Sequence, residues 1–315
     1  MKIVVITGCL GFIGSHITRA CLERGYKVYG IDNMTYAANK CLVKEFEKNS
    51  NFFFCKKDIC KLETLPDCDY VINTAAETHV GNSIIDSSQF IRTNILGTQN
   101  LLELIKSKPG NVCERPVLLH FSTDEVYGDI ESGSHTEGDY LNPSNPYSAS
   151  KAAADLMIKS WTRTYGTEYI IVRPTNNYGM YQYPEKLIPL CVKLLKRGKK
   201  IRLHDRGTPI RNWLHVEDTT AAIMKIMDSS PKNEIFNISG GFEQQNIETV
   251  KQIISAFSKD MDWEEQVNLE FNRPGQDVRY SLEDQKIRAL GWKPSKQFKQ
   301  EINKIVQFYK DYFIW

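Results

Sequence analysis

Short apolar runs recur through the first half of the chain, each ending in glycine or small polar residues and each followed by a stretch of helical spacing. Lys2–Thr7 is the first; Gly8-Cys-Leu-Gly11-Phe-Ile-Gly14 follows it, and then the helical run Ser15–Arg24. Further runs at Lys27–Ile31, Asn51–Cys55, Asp69–Asn73 and Pro116–Phe121 are too short for helices and read as buried strands. Helical patterns cover residues 84–107 and 146–163. Strands alternating with helices predict an α/β fold, a Rossmann-type doubly wound parallel sheet.

After Arg173-Pro174 the texture changes. Thr175–Gly179 and Tyr183–Pro189 are polar loops with turn residues. Arg211–Asp218 reads as a return to the first body, leading into a helix through Met227, and Phe236–Gly241 reads as a strand and turn. The stretches 272–277 and 290–294 close the second body, and Phe298–Tyr312 is a terminal amphipathic helix. A chain of 315 residues exceeds the size at which one core stops growing. We therefore expect a nucleotide-binding domain over 1–174, to which 211–238 returns, and a smaller mixed α/β substrate-binding lobe from 175–210 and 239–315.

Composition narrows the classes further. The chain is 41% hydrophobic and 25% charged, ordinary for a globular protein, and its net charge of +2 with no polybasic block argues against nucleic acid or a membrane surface as partner. It opens directly into KIVVITG, and no apolar run approaches the ~18 residues of a spanning helix. Eight cysteines at positions 9, 21, 41, 55, 60, 68, 113 and 191 form no CxxC pair. They read as reduced thiols in a cytoplasmic protein, with no metal site expected.

The glycine loop after the first strand carries the first candidate chemistry. Gly8, Gly11 and Gly14 let the backbone turn tightly and approach a pyrophosphate, which a helix N-terminus stabilises. The spacing is G-x-x-G-x-x-G, and a glycine loop alone is weak evidence, because any strand-turn-helix can carry one. Asp32, 18 positions past Gly14, adds weight. A carboxylate there accepts hydrogen bonds from an adenosine ribose and repels a 2′-phosphate, and Asn33, Met34 and Thr35 bring no arginine to offset it. NAD is favoured over NADP. Asp58 and Ile59 stand where they would bracket the adenine, and Ala75 and Ala76 are small enough for a cofactor to lie against the backbone.

The stretch HFSTDEVYG (120–128), followed by YSASK (147–151), gathers the reactive groups. Thr123, Asp124 and Glu125 leave the carboxyl end of an apolar strand, where ligands sit in open parallel sheets. Tyr147 and Lys151 are four apart on a helical pattern and share a face. A phenol of ordinary pKa ~10 is a poor base at neutral pH, and a cation one turn away is expected to lower that value. A lone YxxxK is a common surface pair, and Thr123 alone could simply cap its own turn. The joint pattern with the glycine loop is what points to catalysis.

These motifs, with DNMTYA, AAETHV, PYSASKAAAD, NNYG, YPEKLIP, IRNWLHVED, NRPGQD and LGWKP in the same order, resemble the nucleoside-diphosphate-glucose 4,6-dehydratases of the extended short-chain dehydrogenase/reductase superfamily over nearly the whole chain. Most specific is Thr123-Asp124-Glu125, because related epimerases lack the acidic pair. The resemblance implies oxidation of the sugar at C4 by Tyr147 and NAD, with Lys151 supporting the phenolate and Thr123 bonding the 4-oxygen. Glu125 then takes the C5 proton, Asp124 protonates the leaving 6-hydroxyl, and the hydride returns to C6, a first step toward deoxysugars such as rhamnose. It adds Phe12, Ile13, Thr93 and Asn177 to the cofactor site, and Thr78, Asn176, Lys186, Leu187, Arg211, Asn246 and Arg273 to the sugar-nucleotide site. It also implies a homodimer joined through the helices near 84–107 and 146–163. Cys9 and Leu10 depart from the family's smaller residues, and the 128–143 loop is short. A sugar-nucleotide 4-epimerase and a non-catalytic NAD-binding regulator are the rival readings. The first needs no acidic pair, and the second usually goes with a lost Tyr or Lys. The sequence does not separate dTDP-glucose from UDP-glucose.

Overall fold

The computed structural model describes residues 1–111, 114–271 and 277–312. Five apolar runs form strands β1 (Ile3–Thr7), β2 (Lys27–Asp32), β3 (Phe52–Lys56), β4 (Tyr70–Asn73) and β5 (Val117–Phe121), joined by β6 (Tyr169–Pro174). The second body adds β7 (Asn176–Tyr178), β8 (Ile201–His204) and β9 (Ile210–His215), and the chain continues through β10 (Glu234–Ile238), β11 (Glu243–Gln245) and β12 (Val267–Phe271). The central sheet runs β10-β6-β5-β4-β1-β2-β3, with every neighbouring pair parallel. Every residue of β4, β5 and β6 is buried, which is why these strands are largely apolar and do not alternate, Asn73, His120 and Arg173 being their polar members.

Helices cover both faces. Phe12–Glu23 and Val216–Ser229 close one core with Ile17, Ile223 and Met227 over Val4 and Leu119. Gly97–Lys106 and Pro146–Tyr165 close the other with Leu101, Ile105 and Ile158 over Val5 and Leu118. A third core joins the helices Leu187–Lys196, Asn246–Phe257 and Phe298–Asp311 around Val192, Ile253 and Ile305. β9 pairs with β7 and β11 in a separate three-stranded sheet. The helix that follows it, together with β10, brings the chain back to the central sheet.

The helix expected over 84–107 is broken. It consists of Val80–Ile85, a short turn Ser88–Phe90, a π-helical segment Ile91–Leu96 and Gly97–Lys106. Asp86 leaves the helical conformation and accepts from Ser88 N at 2.9 Å, restarting the helix. In the π segment, buried Asn94 bonds both backbone groups of Glu77 (2.9 and 3.0 Å) and donates to Ser150 Oγ (2.8 Å). A widened turn with such inward bonds is a common feature beside functional sites.

Leu118 is fully buried in β5, the strand whose carboxyl end leads into Thr123. Leu118→Ala is expected to cost ~2–5 kcal/mol through lost burial and a residual cavity. A urea titration should show a lower midpoint with an unchanged slope; an unaltered midpoint would show that this core position is not tightly packed.

Candidate active site

The strand order reverses between β1 and β4, and a cleft opens where their carboxyl ends diverge. It consists of two cavities of about 270 and 170 Å³ that share Gly8, Gly11, Ala37, Thr74 and Ala76. Their shared wall is close-packed backbone. Gly8 has φ 71°, and a Cβ there would stand 2.8 Å from Ala75 N; one on Gly14 would stand 2.1 Å from Gly8 O. Side chains at either position would separate the loop from β4.

The smaller cavity is lined by Asp32, Asn33, Thr35, Asp58, Ile59, Ala75, Ala76 and Thr93. Asp32 accepts from Leu10 N (3.0 Å) and Met34 N (2.7 Å), so it also ties the glycine loop to β2. Burial raises its pKa, which those two amides oppose. Cys9 and Leu10 themselves are buried in the core, so their departure from smaller residues is taken up by packing. Arg92, which the sequence reading did not single out, enters this cavity from the π segment with Nη2 3.5 Å from Asp58 Oδ2.

The larger cavity is lined by Phe12, Ile13, Gly14, Thr78, Asn176, Asn177 and Lys186, together with all five expected catalytic residues. The helix carrying Tyr147 and Lys151 starts at a capping box in which Asn145 accepts from Ser148 N (3.0 Å) and Ser148 Oγ accepts from Asn145 N (3.2 Å), with Pro146 in the first turn. Thr123 Oγ1 donates to Asp124 Oδ1 at 3.0 Å and accepts from Glu125 N at 3.3 Å. Asp124 Oδ2 is buried without a hydrogen-bond partner. Burial, then the neighbouring Glu125, pushes the Asp124 carboxyl up to about 7. Glu125 is also raised by burial, with Arg211 opposing, and Asn145 Nδ2 donates to it at 3.5 Å.

Tyr147 departs from expectation. Its phenol is pushed up, first by burial and then by Glu125. The Lys151 amine lies 3.4 Å from His120 Nε2 and is itself pushed down to about 8 by burial, which Asp155 opposes. Desolvation therefore outweighs the effect of a cation one turn away.

Three of the expected sugar-nucleotide residues line neither cavity. Leu187 opens a helix and packs against the third core, and Asn246 opens another with its N–H on Pro209 O at 3.0 Å. Arg211 donates to Ile210 O (2.7 Å) and Asp277 O (3.2 Å) and lies 4.9 Å over the Tyr280 ring. Its charge still acts on Asp124 and Glu125. Arg273 lies outside the described residues. The 128–143 loop binds the 278–283 segment, with Ile130 N on Arg279 O (3.0 Å) and His135 N on Ser281 O (2.9 Å), and lines neither cavity.

Residues given no role by the motifs, though several lie within them, complete the site. Gln182 and Glu185 line the larger cavity, and Tyr36 donates to Glu185 Oε2 at 3.1 Å. Beneath the reactive groups, Arg173 donates to Asp155 (Nε 3.0 Å, Nη2 2.9 Å) and to the Tyr127 hydroxyl (2.6 Å), while Ser122 Oγ donates to Asp155 at 3.0 Å. Arg173 and Asp155 are 2% and 0% exposed. Among the described residues no group of His, Cys, Asp or Glu could hold a metal, and the seven described cysteines are free.

A parallel sheet reversing at a glycine loop, with a Tyr/Lys helix beside it, defines a nucleotide-dependent short-chain dehydrogenase/reductase site. A family model described as GDP-mannose 4,6 dehydratase matches residues 5–305. The dTDP-glucose 4,6-dehydratase of Haemophilus influenzae is 40% identical, with 98% of each chain covered. The solved dTDP-glucose 4,6-dehydratase of Streptomyces venezuelae, with NAD bound, is 37% identical at a TM-score of 0.92 over 98% of this chain and 97% of that one. The UDP-glucose 4-epimerase of Thermotoga maritima, 24% identical with a TM-score of 0.86 over 98% of this chain and 99% of that one, shares the fold. The chain belongs to the nucleoside-diphosphate-sugar 4,6-dehydratases of the extended short-chain dehydrogenase/reductase superfamily.

The buried Arg173–Asp155 pair sets a stability test. Removing one partner strands a buried charge, so Arg173→Met is expected to cost ~3–5 kcal/mol, and the double replacement with Asp155→Leu less than the single. Denaturant unfolding of the double-mutant cycle measures this; additive losses would mean that the pair does not act as a unit.

Proposed function

We infer that this chain is a hydro-lyase, an NAD-dependent nucleoside-diphosphate-glucose 4,6-dehydratase that makes the 4-keto-6-deoxy sugar nucleotide. The observation that carries this reading is the adjacent pair of buried Asp124 and half-buried Glu125, with Asp124 Oδ2 unpartnered and its carboxyl proton held up to about 7. A neutral carboxylic acid beside a second carboxyl is what water loss requires, and C4 epimerisation has no use for it. The nucleotide is read as dTDP, supported by the names of the relatives at 37–40% identity.

The cleft fits NAD on its own features: glycines where any Cβ would meet backbone, a carboxylate at the end of β2, and two joined cavities. NAD, when bound there, would supply the hydride acceptor for C4 of the sugar and the hydride donor for C6. Gly8, Gly11 and Gly14 leave room for its pyrophosphate, and Asp32 receives the ribose. Tyr147, in its phenolate form, accepts the proton of the 4-hydroxyl at Oη while Thr123 Oγ1 bonds the 4-oxygen. The resulting ketone acidifies C5–H, and Glu125 takes that proton. Asp124 gives its proton to the departing 6-hydroxyl, and Glu125 afterwards returns one to C5. Asn176, Lys186 and Thr78 border the substrate end, where Lys186 Nζ donates to Thr78 O at 2.8 Å.

The reading extends to a homodimer. The broken helical segment leaves Ile84, Ile85, Ile91 and Leu96 exposed, and the 146–165 helix leaves Leu156 and Tyr165 exposed, with Ile85 at 86% and Leu156 at 58%. These two segments pack on each other, so a second copy would cover a continuous apolar area. A cytoplasmic setting is supported by the free cysteines; among the described residues no helix is long and apolar enough to cross a membrane.

Asp124→Asn and Glu125→Gln are expected to keep NAD and dTDP-glucose binding while slowing product formation ~10²–10⁴-fold. Asp124 is the acid, so its useful form dominates below a pKa of about 7 and turnover should fall as pH rises through that value. Full activity in both variants would exclude these roles, and a product retaining its 6-hydroxyl would select the epimerase. Sedimentation should give a dimer for the native chain and a shift to monomer for Leu156→Glu. A monomer for the native chain at micromolar concentration contradicts the assembly.

A further inference from the structure

Among the described residues, the side chain within hydrogen-bonding distance of Lys151 Nζ is that of His120, whose Nε2 lies at 3.4 Å. His120 sits on β5 with 1% exposure, and nothing in the mechanism above uses it. Its other ring nitrogen, Nδ1, is 3.1 Å from Asn73 Nδ2 at the end of β4. Which nitrogen carries the hydrogen is assigned by following the donors outward. The Thr98 hydroxyl gives its hydrogen to the Asn94 carbonyl at 2.8 Å, so its oxygen accepts, and the Asn73 atom 3.3 Å away is the amide nitrogen. The Thr7 hydroxyl donates to Asn73 Oδ1 at 2.7 Å. Asn73 is thereby fixed with its NH₂ toward Thr98 and His120. His120 Nδ1 accepts, and in the neutral ring the single hydrogen falls on Nε2, facing Lys151.

We propose that His120 is a positioning residue whose Nε2–H, fixed by Asn73, disfavours an ammonium on Lys151 and so leaves Lys151 and Tyr147 sharing one proton. The proposal rests on the reading of Tyr147 and Lys151 as the pair that works at the sugar C4. An N–H facing an ammonium sets donor against donor, whereas a neutral amine accepts from it. The other charged groups around the pair do not settle the matter by themselves. Asp155, one turn along the same helix, favours the ammonium, but Arg173 on β6 holds that carboxylate at 2.9 Å. Asp124 and Glu125, past the end of β5, act on the phenol. Burial also works against charge on both partners: Lys151 is pushed down to about 8 and His120 well below the usual imidazole value, with Lys151 and Arg173 adding to the effect on His120.

The consequence is functional. Two interacting groups titrate as a unit. With a proton on each of Lys151 and Tyr147 the pair contains no base. It can accept the 4-hydroxyl proton only after one has been shed. His120 lowers the pH at which that happens.

Two experiments on the full chain with NAD test this. In protein labelled with ¹⁵N-histidine, the resonances absent from His120→Phe identify His120. Neutral imidazole protonated at Nε2 between pH ~6 and ~8 is expected, that being the range in which an ordinary histidine titrates; a ring protonated at Nδ1, or an imidazolium, overturns the proposal. In the pH profile of dTDP-glucose turnover, His120→Phe should move the acid limb up by about one unit, a tenfold loss on that limb. His120→Gln, whose side-chain NH₂ can face Lys151, should move it back toward the native position. An unmoved limb in folded His120→Phe, or a Gln variant no better than Phe, also overturns it. If His120→Phe does not fold, the labelled native protein decides alone, with the His120→Gln spectrum supplying the assignment. If the native chain turns over no sugar nucleotide, the functional reading fails while the ring protonation still judges the geometry.

Discussion

Loss of water moves every ionisable group at the carboxyl end of β5 toward its neutral form. Asp124, Glu125 and Tyr147 are raised and Lys151 is lowered, with burial the largest cause in each case. In an exposed site these groups would be two carboxylates, a phenol and an ammonium with little to exchange at neutral pH. Here Asp124 retains its proton to about 7 and Lys151 loses its own near 8, so acid and base stand within reach of one another's working range. The orphaned Asp124 Oδ2 follows from the same constraint, because Thr123 binds only the other oxygen.

The scaffold keeps that region dry and fixed from below. Asp155 receives Ser122, the residue after β5, and Arg173 from β6, so one buried carboxylate ties the ends of both strands to the helix that presents Tyr147 and Lys151. The cofactor end depends on a different constraint, the contact of the Gly8 loop with the backbone after β4, which no side chain could enter. Asp32 serves both ends by holding Leu10 and Met34 amides while facing the smaller cavity.

Much of this was legible in the sequence because it is encoded locally. Strands buried on both faces are continuous apolar runs, so β1, β2, β4 and β5 were placed within a residue or two. The glycine spacing and the Tyr147/Lys151 separation each depend on neighbours in the chain. What escaped depends on contacts distant in sequence. The π-helical turn exists because Asn94 reaches residue 77 and Ser150, and nothing between 84 and 107 announces those partners. Charge proximity suggested that Lys151 would lower the Tyr147 pKa, but spacing alone does not register how dry the site is. The contacts of Arg211 with the Asp277 carbonyl and the Tyr280 ring likewise depend on residues far along the chain. His120 and Asn73 are single polar residues inside apolar strands, and only the folded sheet shows that they meet.

The central claim is that a hydrogen leaves C4 and returns to C6 of the same sugar while Asp124 and Glu125 remove water between them. Turnover of dTDP-glucose carrying deuterium at C4 tests it most directly. The account predicts a 4-keto-6-deoxy product with that deuterium in its C6 methyl group. Deuterium found back at C4 of a sugar that keeps its 6-hydroxyl would contradict it.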